Sequence, residues 1–158
     1  MPARRARRIS ADRWRPAVRW ARWSGYRTFA DPLVLVLHVG YAWVPVGVAL
    51  LGFSLMGLVP RSAAIHALTA GAMATMILAV MTRASLGHTA RELKAGPATV
   101  VVYLLVTIGA VLRVFASLRL IDYNLGIDVA GVAWGSAFLL FLIAYAPVLW
   151  GPRLGEKR

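Results

Sequence analysis

The run LVLVLHVGYAWVPVGVALLGFSLMGLV, residues 33–59, contains 27 residues and no formal charge. Wound as an α-helix it is roughly 40 Å long, against a hydrocarbon layer of about 30 Å. Lipid offers no hydrogen-bond partners, so a backbone that crosses it must satisfy its own amide and carbonyl groups. The run therefore predicts a transmembrane helix, and its excess length together with Pro45 predicts a tilt or a kink.

Three further apolar runs follow, at residues 63–82, 98–118 and 129–150, and Arg113 is the one charged residue in them. Each run is long enough to span a bilayer and is continuous rather than alternating, which favours helices over barrel strands. Hydrophobic residues form 59% of the 158-residue chain and the mean hydropathy is +0.67, more than a soluble domain of this size can bury. The sequence thus predicts an all-α integral membrane bundle of four transmembrane helices, in a domain covering residues 32–150.

Positive charge is distributed unevenly between these runs. The net charge is +12, and nine of the 18 Lys and Arg residues lie in an N-terminal arm at 1–31. The segments at 83–97 and 151–158 carry three each, whereas those at 60–62 and 119–128 carry one each. The positive-inside rule places the arm, the 83–97 loop and the 151–158 tail in the cytoplasm, and an even number of spans also requires both termini on one side. This distribution predicts an N-in/C-in topology and argues against a nucleic-acid partner.

The arm at 1–31 interleaves arginines with tryptophans, most densely in RWRPAVRWARW at residues 13–23. Trp side chains favour the membrane interface, and Arg side chains pair with lipid phosphates. Anionic lipid headgroups are therefore the partners expected here. A short interfacial helix after Pro16 and a solvated cytoplasmic arm remain alternatives.

Small residues recur at every fourth position of the second run, and we call these five residues the small-residue stripe: Ala63, Ala67, Gly71, Thr75 and Ala79. Such a row lets another helix approach closely. The alternative is an Ala-rich helix without a dedicated partner. The length of the row favours a helix–helix contact, either within this chain or with a larger membrane partner.

Two histidines fall inside the spans, where polar side chains are costly and often functional. His38 lies near the cytoplasmic end of the first helix, and a neutral imidazole there can ligate haem iron or copper or relay protons. His66 lies in the first turn of the second helix, at the opposite end. Met73 is two turns further along that helix, roughly 10 Å away, so Met56 is the better-placed thioether partner for a copper site. The alternative for each histidine is a hydrogen bond to a neighbouring helix.

Cationic side chains provide further candidates. His88 is expected in the 83–97 loop, where Arg83 and Arg91 could clamp an anion such as a haem propionate. Arg113 lies about one turn from the outer end of the third helix; an outward-reaching side chain is favoured over one that faces the bundle and holds an anion. His38 and His88 are expected on one side of the membrane and His66 on the other, which argues against one site that uses all three.

Several chemistries have no support in the sequence. There is no Cys, which excludes disulfides and thiolate-ligated metals. No paired carboxylates, Ser-His-Asp set, phosphate loop or dinucleotide fingerprint is present. No catalytic residues can therefore be assigned, and whether the protein is an enzyme stays open.

Two long motifs resemble the NnrS family: HALTAGAMATMILAVMTRASLGHT at residues 66–89 and LHVGYAWVP at 37–45. LRV at 112–114 and YAPVL at 145–149 also fit. The resemblance covers roughly residues 20–153, corresponds to the C-terminal portion of the family, and implies a partial member, since the family usually has about twelve spans. Ala90 stands where the family usually has Gly.

The resemblance implies a bacterial inner-membrane protein linked to nitric oxide and denitrification stress and associated with haem and copper. It makes His38, His66 and His88 the candidate metal ligands, with Arg83 and Arg113 as further cofactor-binding candidates. The alternative is a non-catalytic membrane module that assembles with a larger partner through the small-residue stripe; a small transporter subunit is a third, weaker possibility.

Overall fold

The computed structural model describes residues 31–152, which form four long helices and no strand. They are α1 (Pro32–Leu55), α2 (Arg61–His88), α3 (Pro97–Ser117) and α4 (Tyr123–Trp150). All four are long and apolar enough to cross a membrane. The predicted all-α bundle of four transmembrane helices is therefore confirmed, while the N-in/C-in orientation stays a prediction. The N-terminal arm, apart from residue 31, and most of the tail lie outside the described residues, so the expected contact of the arm with lipid headgroups stays a prediction.

Aspartate side chains cap the N-termini of two of the helices. The Asp31 carboxylate accepts a hydrogen bond from the Leu33 amide at 2.9 Å, and Pro32 occupies the first turn of α1. The Asp122 carboxylate accepts from the Leu125 amide at 2.9 Å at the start of α4. Both caps satisfy amides that have no partner inside the helix, so these helices begin at the caps rather than where the apolar runs begin.

Three of the helices end in the same backbone turn, in which one residue adopts a left-handed conformation. These residues are Gly57 (φ 74°), Ala90 (φ 55°) and Arg119 (φ 56°). In each turn the next residue's amide donates at 3.0 Å to the carbonyl five residues earlier, which is the Schellman pattern. Glycine suits this conformation, so Ala90 and Arg119 occupy it at a steric cost.

The second helix is longer than the apolar run suggests. The sequence ends this span at residue 82, whereas α2 continues to His88. Arg83 and His88 are consequently helical residues and do not lie in a loop. Charged residues mark where lipid ends, but a helix can continue beyond the lipid because its backbone remains hydrogen-bonded.

A π-helical segment, Ala67–Met73, interrupts α2 between the α-helical segments Arg61–His66 and Ala74–His88. A π-helix bonds each amide to the carbonyl five residues back and so holds more residues per turn than an α-helix. In an uninterrupted α-helix, a stripe with a four-residue period drifts by about 160° over 16 residues. The wider turn reduces this drift, and all five residues of the small-residue stripe are buried.

The helices pack in sequence order, with α2 and α3 at the centre. Helix α1 packs along α2, where Gly47 contacts Leu68 and Gly71 contacts the Trp43 ring. Helix α4 packs mainly along α3, where Gly109 lies against Trp134. Neighbouring helices run antiparallel. The small-residue stripe is thus buried inside this chain, and the surface expected to receive a larger partner is already covered.

Two tyrosines form buried hydrogen bonds that link α3 to α2 and to α4. The Tyr103 hydroxyl of α3 is hydrogen-bonded to the Thr82 hydroxyl of α2. The Tyr145 hydroxyl of α4 is hydrogen-bonded to the Thr99 hydroxyl of α3 at 2.8 Å. All four residues are buried. Because unsatisfied hydroxyls are costly away from water, these pairs fix the helices against one another at the end opposite His66.

Candidate functional site

A cleft of about 640 Å³ lies between α2 and α4, with Arg113 of α3 contributing to its wall. Its lining is mostly apolar and aromatic, with three polar side chains at one end: His66, Thr69 and Arg113. This size and composition are typical of a small-molecule or cofactor site. The remaining lining residues are Ile65, Ala70, Met73, Ala74, Ile77, Gly131, Trp134 and Phe138.

His66 occupies the last position before the π-helical segment, and its ring is held from α3. The imidazole Nδ1 lies 2.7 Å from the Ser117 hydroxyl oxygen. Ser117 is 3% exposed, and its hydroxyl donates to the Arg113 carbonyl at 2.9 Å. A hydroxyl has one proton to give, so we assign the proton of the His66–Ser117 bond to Nδ1. This tautomer leaves the Nε2 lone pair available to a ligand.

Arg113 lies at the same end of the cleft. Its side chain is half-buried and lines the cavity. The sequence favoured an arginine reaching outward, and the structure instead makes it part of the cleft wall. Among residues 31–152 no carboxylate pairs with its guanidinium. An unpaired cation in a largely apolar cleft attracts an anionic group.

The opposite wall of the cleft is aromatic. The rings of Trp134 and Phe138 lie one turn apart on α4, with centroids 4.5 Å apart and planes tilted by 44°. Thr69 is satisfied within its own helix, since its hydroxyl donates to the Ile65 carbonyl at 2.8 Å. The polar groups left for a ligand are therefore the imidazole and the guanidinium.

The three histidines lie at different levels of the bundle. His38 is on α1, where its Nδ1 lies 2.9 Å from the Val34 carbonyl oxygen. The contacts between α1 and α2 place His38 level with about residue 78, roughly 18 Å along the bundle from His66. His88 is exposed at the end of α2, roughly 33 Å from His66. Within residues 31–152 no three His, Cys, Asp or Glu side chains form a metal-binding group.

The two arginines proposed to clamp an anion with His88 lie on either side of the point where α2 ends. Arg83 is a half-buried residue of the helix. Arg91 follows the left-handed turn at Ala90, and its guanidinium lies near Gly151 at the end of α4. The carbonyl end of a helix carries partial negative charge, so Arg91 stabilises this helix end. Its Nε is buried and has no hydrogen-bond partner in the described part of the chain.

The two methionines considered for a copper site differ in their placement. Met73 lines the cleft, whereas Met56 is 63% exposed at the end of α1 and is not part of the lining. The cleft therefore contains one imidazole and one thioether: His66 directly precedes the π-helical segment and Met73 is its last residue.

Three features of the site were not predicted: the Ser117 hydrogen bond, the aromatic wall and the π-helical segment. Ser117 is 51 residues from His66, and no local pattern connects the two. The four-residue period of the small-residue stripe was the available signal for the π-helical segment, because it lies above the 3.6 residues per turn of an α-helix.

The family model described as NnrS protein matches residues 16–153. No curated protein and no solved structure matches the chain.

Proposed function

The chain belongs to the NnrS family, and from that membership we propose a bacterial inner-membrane protein of the response to nitric oxide that holds haem in the cleft between α2 and α4. Family membership and four membrane-spanning helices support the coarser statement, a multi-pass membrane protein linked to nitric oxide. The haem and its place in the cleft are the finer proposal.

The observation that carries this proposal is the fixed imidazole of His66. The Nδ1–H of His66 donates a hydrogen bond to the Ser117 hydroxyl oxygen, which leaves the Nε2 lone pair as the atom that can bind a metal. Histidines that ligate metals usually give their other ring proton to a neighbouring oxygen, which fixes the tautomer and the ring orientation. His38 has a backbone partner of this kind but does not line the cleft.

The other cleft residues fit a haem better than a copper ion. Arg113 offers two N–H groups to a propionate carboxylate, and Trp134 and Phe138 offer an apolar wall to a flat ring. A copper site of soft and imidazole donors would need more ligands close together. Within residues 31–152 the cleft brings no second imidazole to His66.

Each residue has a defined task in this proposal. Haem supplies an iron that binds small gaseous ligands. His66 would hold the group through its Nε2 lone pair. Arg113 neutralises a carboxylate, and the aromatic wall excludes water.

The test is a visible-region spectrum of the purified chain after reconstitution with haemin. We expect a Soret band that the His66→Ala variant loses. The matched controls are His38→Ala and His88→Ala, which remove the same side chain elsewhere and should keep the band. A band that survives in His66→Ala, or disappears only in His38→Ala, contradicts the assignment.

A second candidate function is a membrane module that assembles with a larger partner, and it is favoured by one feature of α1. Tyr41 is 69% exposed and lies about 14 Å into the helix, where lipid cannot satisfy its hydroxyl. Polar side chains on one transmembrane helix often bond to another. The partner would thus contact the Tyr41 face of α1 rather than the small-residue stripe. Co-purification of another membrane chain that Tyr41→Phe weakens would support this function.

A further inference from the structure

The open side of the cleft faces the region where lipid surrounds the bundle. Its rim consists of residues that are exposed on membrane-spanning helices: Ile65, Met73 and Ile77 on α2, and Gly131 and Trp134 on α4. The described connections between helices contribute no residue to the lining. A ligand that reaches this site therefore enters between two helices, from the bilayer.

The cleft is polar at one end and apolar along the rest of its length. His66 and Arg113 form the polar end, and the apolar wall extends to Ile77 and Phe138. From His66 to Ile77 the distance along α2 is roughly 16 Å. This arrangement matches a molecule with a charged head and an extended apolar body.

The charge of Arg113 determines the sign of that head. Arginine side chains in proteins carry a full positive charge, and no carboxylate within residues 31–152 pairs with the Arg113 guanidinium. Removing a cation from water is costly unless an anion accompanies it. A carboxylate or a phosphate satisfies both the charge and the N–H donors.

We propose that the cleft takes up an amphiphile with an anionic head from the bilayer, through a lateral opening at Gly131. The head pairs with Arg113 and the apolar body lies along the Trp134–Phe138 wall. The inference rests on the proposed function only in placing a ligand in this cleft. Two kinds of molecule have an anionic head and an apolar body. In haem these are the propionate carboxylates and the ring, and in an anionic phospholipid they are the phosphate and the acyl chains.

Gly131 is the position at which the opening can be closed. A Cβ built at Gly131 meets nothing within 4 Å, and Gly131 lines the cleft. Gly135 lies one turn further along α4, is equally open, and is not part of the lining. The Cβ of a large side chain at Gly131 meets no other atom, so the side chain is expected to extend over the entrance, and the same change at Gly135 is the matched control.

The experiment uses the full chain in lipid nanodiscs and has two arms. In the first, native mass spectrometry measures how much dioleoylphosphatidylglycerol stays bound in an excess of phosphatidylcholine. In the second, absorbance measures the uptake of haemin added to the nanodiscs. We expect Gly131→Phe and Arg113→Gln each to reduce binding at least tenfold in at least one arm, and Gly135→Phe to leave both arms unchanged. Gly131→Leu repeats the test with a smaller side chain, and circular dichroism confirms the fold of each variant.

The two arms separate this inference from the proposed function. A response in the haemin arm supports both. A response in the phosphatidylglycerol arm without any Soret band overturns the haem proposal and supports lateral uptake of a lipid. The inference is overturned if Gly131→Phe and Gly135→Phe change binding equally. It is also overturned if Arg113→Gln leaves binding unchanged in both arms.

Discussion

Ser117 illustrates how one distant hydroxyl sets the chemistry of the site. Its oxygen accepts a hydrogen bond from the His66 Nδ1–H at 2.7 Å, and its hydroxyl donates a hydrogen bond to the Arg113 carbonyl. Without Ser117 the imidazole can rotate and exchange its proton between both nitrogens. The tautomer of His66 is thus determined on α3 rather than on its own helix.

We expect Ser117→Ala to weaken haem binding about tenfold, which is the lower limit for the loss of a partner behind a metal ligand. The Soret band should also shift, which mere loosening of the bundle would not cause. Haemin titration of the purified chain measures both quantities. Ser136→Ala on α4 removes a serine hydroxyl that lies outside the cleft and should leave haem binding unchanged. Ser117→Thr keeps a hydroxyl at position 117 and should bind haem as the unsubstituted chain does. If Ser117→Ala binds haem with unaltered affinity, Ser117 has no role in the site.

Ala90 adopts a backbone conformation that is unfavourable for alanine. It holds a φ of 55° at the end of α2, a conformation that costs a residue with a Cβ roughly 1–2 kcal/mol. Glycine removes this strain but has more conformational freedom in the unfolded chain.

Ala90→Gly should raise the free energy of unfolding in detergent by about 1 kcal/mol, the strain relieved less the added entropy of unfolding. Reversible unfolding in mixed micelles gives the value. Ala84→Gly, in the helical part of α2, is the control and should lower stability by about 1 kcal/mol. A destabilised Ala90→Gly variant would contradict the left-handed turn.

At the scale of the elements, the π-helical segment of α2 connects packing with the site. It lies immediately after His66 and carries Gly71, which contacts the Trp43 ring of α1. Its other residues include Thr69, Ala70 and Met73, which line the cleft. The wider turn therefore lets α2 meet α1 on one side and open a cleft toward α4 on the other. Such segments occur frequently at functional sites.

The contact between α1 and α2 is expected to fail when a methyl group is added to it. A Cβ at Gly71 would lie 2.5 Å from Trp43 Cδ2, so Gly71→Ala should destabilise the bundle by about 1–3 kcal/mol. Gly52→Ala on α1 is the matched control, because a Cβ there meets nothing within 4 Å and alanine favours the helix. The same unfolding assay compares the two variants. Equal stabilities would show that α1 does not pack on α2 through Gly71.

At the scale of the whole molecule, the positive charges predict which ends of the helices face the cytoplasm. The chain contains no Cys, so a single introduced thiol reports its side of the membrane without background. Glu92 and Asn124 are exposed residues at opposite ends of the bundle.

In intact spheroplasts, an impermeant maleimide should label Asn124→Cys, and it should label Glu92→Cys only after permeabilisation. The positive-inside rule provides the reason, because the 83–97 segment carries more Lys and Arg than the 119–128 segment. Labelling of both thiols in permeabilised membranes is the control for accessibility. Labelling of Glu92→Cys in intact spheroplasts, and of Asn124→Cys only after permeabilisation, would contradict this orientation. His66 and Arg113 would then lie at the cytoplasmic end.

The sequence by itself determined the class of the protein and the number of its spans. A backbone in lipid must satisfy its own hydrogen bonds as a helix or a closed barrel, and long continuous uncharged runs such as residues 33–59 favour the helix. The resemblance of residues 66–89 also identified the family. These features are local in the chain, so they could be read without knowing which helices touch.

Only the tertiary structure decided which side chains meet. In a membrane the packed face and the lipid-facing face of a helix are both apolar, so hydrophobic periodicity carries little information about which face turns inward. The sequence therefore did not reveal that Ser117 holds His66, that Arg113 turns into a cleft, or that the small-residue stripe is covered by the chain itself. Those pairings depend on helices that are distant in sequence, and on a π-helical segment that sets the face each residue of α2 presents.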